Sequence, residues 1–63
     1  MAIFYRYAFE NNLPKDNENR INPNTGLPFS LFHIYAESES EARRFFKWEF
    51  DHEAGELLYR ERW

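Results

Sequence analysis

The sequence predicts an α+β fold: a small three-stranded, mainly antiparallel sheet in β-β-α-β order, with one helix packed on one face. Three observations predict it. Residues 2–10 alternate with a period of two and contain β-favouring residues and no proline. Ser38 and Glu41 stand at capping-box spacing at the head of the one amphipathic run. The chain has 63 residues and therefore forms a single domain, 1–63, with one core.

In the first strand, about residues 2–10, Ile3, Tyr5, Tyr7 and Phe9 share one face and are expected to meet the helix. Phe4, Arg6, Ala8 and Glu10 share the other. Residues 11–28 form a long irregular segment with six asparagines, three prolines and Gly26. Within it Asn22-Pro23-Asn24-Thr25-Gly26 is a turn signal, since proline presets φ and glycine accepts a positive one. Residues 15–20 suit a short helical turn. A loop of this length in so small a domain is either functional or disordered.

The second strand covers about residues 29–36, with Phe32, Ile34 and Ala36 inward and Leu31, His33 and Tyr35 outward. The helix covers about residues 39–53. Ser38 is its N-cap, Glu39 and Glu41 face the positive end of its dipole, and Gly55 is the expected left-handed residue after its end. Its apolar residues Ala42, Phe45, Phe46, Trp48 and Phe50 span roughly 200° of arc. Glu49 lies inside that arc and needs water or an ion-pair partner such as Arg60 or Arg62. The third strand, about residues 56–62, brings Leu57 and Tyr59, or one register off Leu58, to the core. It is expected beside the first strand, with the second as the alternative neighbour. The core is then Ile3, Tyr5, Tyr7, Phe9, Phe32, Ile34, Ala42, Phe45, Phe46 and one of Leu57 and Leu58. Trp63 is either tucked against the sheet or left for a partner.

Composition narrows the function. Aromatic residues make up 21% of the chain, more than one helix on a small sheet is expected to cover. The outer face carries Phe4, Leu31, His33 and Tyr35 beside an open sheet edge, and a homodimer through these residues is expected. Cysteine is absent, which excludes disulfides and thiolate chemistry and fits a reducing cytoplasm. No apolar run reaches the ~20 residues of a membrane span, and the start lacks a signal-peptide pattern. The expectation from these features is a cytoplasmic protein away from membranes.

No cofactor motif stands in the sequence. Asp51-His52-Glu53 with Glu56 is the one group resembling a metal or acid–base site, but consecutive helical residues point ~100° apart and no histidine pair has ligand spacing. The expectation is a protein without enzymatic activity and without a metal. A net charge of −3 gives no basic footprint for nucleic acid. An aromatic platform of Phe4, Arg6, His33 and Tyr35, helped by Arg60 or Arg62, is the alternative that would take single strands. The leading expectation is a protein-binding module. Residues 37–56 hold seven acidic and three basic side chains. Asp51, Glu53 and Glu56 surround the negative end of the helix dipole, where cations are favoured. With Trp48 as a buried anchor they form the expected site for a basic or nucleic-acid-binding protein. Reversing the three carboxylates to lysine is expected to weaken binding and leave the fold intact or slightly more stable.

The segment Phe32-His33-Ile34-Tyr35-Ala36-Glu37-Ser38-Glu39-Ser40-Glu41-Ala42, a strand running into a capped helix, resembles a pattern in small phage and mobile-element proteins, including anti-CRISPR-like inhibitors. The resemblance implies stoichiometric inhibition of a bacterial defence complex in the host cytoplasm.

Overall fold

In a computed structural model, which describes residues 2–63, the elements follow one another as β1 (Tyr5–Glu10), a 3-10 turn (Glu18–Arg20), β2 (Leu31–Ala36), α1 (Glu39–Phe50) and β3 (Leu57–Arg62). The sheet order is β2-β1-β3 with both pairings antiparallel. The α+β architecture and the central first strand are as the sequence predicts. β1 pairs Tyr5 with Ala36, Tyr7 with Ile34 and Phe9 with Phe32, so those side chains share the face under α1.

Tyr7, Phe9, Leu13, Phe32, Ala36, Ala42 and Phe46 form the buried cluster. The Phe46 ring lies 5.8 Å from Phe9, 5.9 Å from Phe32 and 4.5 Å from Phe50, within the range of favourable aromatic pairs. The helix packs on the β2 side of the sheet. Two arginines roof part of the same face nearer β3. The Arg43 guanidinium sits 5.2 Å from the Phe9 ring centre and donates to the Ala54 and Gly55 carbonyls. Arg60 sits 4.6 Å from the Tyr5 ring centre. Arg43 stands at i−3 from Phe46 and i−7 from Phe50, on the side of the helix that meets the sheet.

Several details depart from the sequence pattern. The first strand starts at Tyr5, and Ile3 lies outside the core at 46% exposed. Ala8, on the outer face, is fully buried. It pairs with His33 on one side and Tyr59 on the other, and those two side chains meet above it, His33 Nε2 to Tyr59 hydroxyl at 2.9 Å. Leu57 packs against the core, whereas Tyr59 faces outward. A register shift between Ala8 and Phe9 inserts Leu58 as an extra residue, which changes the strand's face midway.

The helix stops at Phe50. Asp51 takes the left-handed conformation at φ 53°, and its N–H donates to the Lys47 carbonyl at 2.8 Å. Gly55 therefore does not end the helix. Its constraint is space: a Cβ there would lie 2.9 Å from Asn12 Cγ. At the other end Ser38 caps the helix, its Oγ accepting from the Glu41 N–H, while Glu41 Oε1 accepts from the Glu37 N–H, one residue before the cap, and not from the Ser38 N–H expected of a capping box. Glu49 is exposed and makes no hydrogen bond or ion pair among the described residues.

The long loop is ordered by its asparagines. Asn11 Nδ2 donates to the Phe29 carbonyl at 2.7 Å and the Arg20 carbonyl at 3.2 Å, and Asn11 Oδ1 accepts from the Leu13 N–H. Asn17 caps the 3-10 turn. Ile21 pairs with Pro28, and the Asn22–Gly26 turn closes with Gly26 at φ 73°.

Candidate functional site

Two surfaces carry the residues singled out by the sequence, and the structure separates them. The first is the end of α1. Trp48 is 71% exposed; its ring packs at 5.6 Å on Phe45, with Arg44 5.9 Å from its centre. Glu53 is engaged elsewhere. Its Oε1 accepts from Lys47 Nζ at 2.8 Å, and that bond, reinforced by the charge, holds the carboxyl below and the ammonium above their ordinary pKa ranges. Lys47 and Trp48 are consecutive, so they project ~100° apart around the helix. Asp51 is the left-handed cap, and the Glu56 carbonyl accepts from the Glu10 N–H. The Asp51 and Glu56 carboxylates make no hydrogen bond among the described residues. Trp48 thus stands with Arg44 rather than with the three carboxylates.

The second surface is the sheet face away from α1. Register places Leu31, His33 and Tyr35 of β2 beside Glu10, Ala8 and Arg6 of β1, and Glu61 and Tyr59 of β3 beside Arg6 and Ala8. Phe4 precedes β1 and bonds through its carbonyl to the Trp63 N–H. Phe4, Tyr35, Tyr59 and Trp63 are 39%, 44%, 44% and 76% exposed, and the Tyr35 and Trp63 rings lie 5.0 Å apart. Trp63 thus rests on the sheet at one edge and remains open at the other. Tyr59 and Trp63 were missing from the expected outer set. The bulge that turns Tyr59 outward leaves no local mark beyond the ambiguous Leu57-Leu58 phase.

The electrostatics of this face are nearly balanced. Arg6 forms a salt bridge with Glu61. Arg60 and Arg62 pair with Tyr7 and Tyr5, which places them on the α1 side, so they do not join the aromatic platform. His33 is held below its ordinary pKa, first by partial burial and then by the nearby Arg6 charge.

An open cleft of about 400 Å³ runs along the outer edge of β2, lined by Phe32, Ile34, Phe45, Glu49 and Phe50 with His33 and Tyr35. A second lies in the long loop between the 3-10 turn, Pro23 and Phe29. Among the described residues, no group of three His, Asp or Glu side chains is arranged to hold a metal ion, and no helix is long and apolar enough to cross a membrane. No family model, curated protein or solved structure matches the chain.

Proposed function

We propose that the chain is a small protein-binding module, without enzymatic activity, that occupies a partner's surface stoichiometrically through the outer face of its sheet. One observation carries this reading. Phe4, Tyr35, Tyr59 and Trp63 are exposed together on a face that no element among the described residues covers. Clustered exposed aromatics mark binding surfaces, and tyrosine and tryptophan are the residues on which interface energy concentrates.

The charges favour a protein over a nucleic acid. Arg6, the cation the strand register places on this face, is neutralised by Glu61, and the chain carries a net charge of −3. A phosphate backbone needs unpaired cations along its path. Glu10 on this face, with Glu56 beside its backbone, adds acidic groups at one end. A basic partner surface is the complement, and the acidic groups steer its approach. The resemblance to phage-encoded inhibitors supplies the class to try first: a bacterial defence complex with a nucleic-acid-binding surface, met in the cytoplasm.

The test is capture of such a complex by the full chain, followed by the same measurement on Trp63→Ala and Tyr35→Ala. Each is expected to weaken binding by tenfold or more, since truncating a hot-spot aromatic removes at least ~1.4–2 kcal/mol. Equal capture by the double variant would refute the surface. Salt-dependent binding of labelled single strands by the chain alone would show the platform to be a nucleic-acid binder instead.

A further inference from the structure

The two edges of the sheet are unlike. β3 ends in Arg60, Glu61 and Arg62 and is broken by the Leu58 bulge, both of which discourage further pairing. β2 has no Asp, Glu, Lys, Arg or proline between Leu31 and Ala36 and no irregularity in its register. Its outward backbone groups can be named. Glu10 and Phe4 bond to Glu56 and Trp63, so even-numbered β1 residues turn their amides toward β3 and odd-numbered ones toward β2. Phe32, Ile34 and Ala36 answer the odd ones, which leaves the N–H and C=O of Leu31, His33 and Tyr35 directed out of the sheet.

We propose that this edge pairs with the same edge of a second copy of the chain, related by a two-fold axis, to give a continuous six-stranded sheet with two antiparallel helices side by side. The helix surface overhanging the edge is self-complementary in that arrangement. Phe45 and Trp48, already in contact, are then placed to meet Trp48 and Phe45 of the partner. The same antiparallel register sets Glu41 level with the partner's His52 on the same flank of the helix pair.

The strand and helix axes agree on where the two-fold lies. The Phe50 ring sits on Phe32 at 4.6 Å. From Phe50 back to the midpoint between Phe46 and Lys47 is about 5 Å of helix rise, which along the strand leads from Phe32 to between His33 and Ile34. That is the centre of the free backbone row. Isologous pairing of this kind closes after two copies and leaves the charged β3 edges at the ends.

Sedimentation equilibrium of the full chain over a micromolar range is expected to show association from 7.8 kDa to twice that mass. Amide exchange is expected to show concentration-dependent protection at Leu31, His33 and Tyr35. Trp48→Glu, at an exposed position, should weaken dimerisation at least tenfold, because it sets a carboxylate against the partner's Phe45. A species of 7.8 kDa at all concentrations would overturn the proposal. So would a dimer that Trp48→Glu leaves unchanged, or one in which the three amides exchange freely.

Discussion

Replacing Asn11 by alanine tests whether one side chain holds the long loop in place. Asn11 makes three hydrogen bonds: donated to the Phe29 carbonyl at 2.7 Å and the Arg20 carbonyl at 3.2 Å, and accepted from the Leu13 N–H at 3.3 Å. These join the end of β1 to both ends of the 21–28 excursion and fix the entry of Leu13 into the core. A net hydrogen bond contributes about 1 kcal/mol, and the two longer ones contribute less, so the loss is about 2–3 kcal/mol. A 63-residue domain at 0.05–0.15 kcal/mol per residue holds only roughly 3–9 kcal/mol. The substitution should therefore lower Tm by about 10–20 °C, read by circular dichroism. Asn12→Ala is the matched control: Asn12 donates one exposed hydrogen bond, to the Glu53 carbonyl at 3.1 Å, and its loss is expected to lower Tm by a few degrees. If Asn11→Ala melts no lower than Asn12→Ala, the loop is held by its own turns and the reasoning fails.

Three further outcomes follow from the same contacts. Phe46→Ala empties the centre of the aromatic cluster, should cost about 3–5 kcal/mol and should leave the chain largely unfolded at 25 °C; a cooperative melt at the original Tm would contradict the core assignment. Asp51→Gly relieves a left-handed φ of 53° and removes a carboxylate from the negative helix end, so Tm should rise by about 4–8 °C for roughly 1 kcal/mol. His33 is held below 6.5 when folded, so the unfolded chain binds more protons just under that pH; the stability it contributes is present above 6.5 and is lost as pH falls through the folded pKa, and His33→Gln should flatten that part of the pH–Tm curve.

What the sequence discloses is what is local. Period-two alternation locates β1, and the Ser38–Glu41 box fixes the helix start to the residue. The helix end is misread because glycine is the stronger punctuation mark. Asp51 tolerates the left-handed region well enough to stop the helix at Phe50, three residues earlier than expected, and Gly55 answers instead to the approach of Asn12. Leu13 is an isolated apolar residue in a polar segment, a signal that was present, but its burial depends on the Asn11 bonds. Ala8 carries no such signal. It is buried because two strands distant in sequence bring His33 and Tyr59 together above it. The outer face is legible on β1 and β2, where the register is unbroken, and illegible on β3, where the bulge changes the phase. Trp48 illustrates the same limit. Sequence proximity groups it with the acidic helix end, whereas the turn of the helix places it with Phe45 at the β2 edge.

The charge-reversal experiment on the acidic helix end changes accordingly. Lysine at all three positions would perturb more than charge. At Asp51 it places an ordinary side chain in a left-handed backbone that Asp and Asn tolerate better. At Glu53 it opposes Lys47 across what is now a 2.8 Å ion pair. The expected slight gain in stability is thereby offset, and a loss of binding would be ambiguous. Asp51→Asn with Glu56→Lys is the cleaner variant. Asparagine accepts the positive φ, the Glu56 backbone bond to Glu10 needs no side chain, and the Lys47–Glu53 pair is untouched. Its Tm should stay within a few degrees of the original. Its association rate with a basic partner should fall, and the salt dependence of that rate should flatten, because steering scales with the field the two carboxylates supply. An unchanged rate and an unchanged salt slope would show that these carboxylates only solvate the surface, and the acidic contribution would then have to come from Glu10 at the end of the aromatic face.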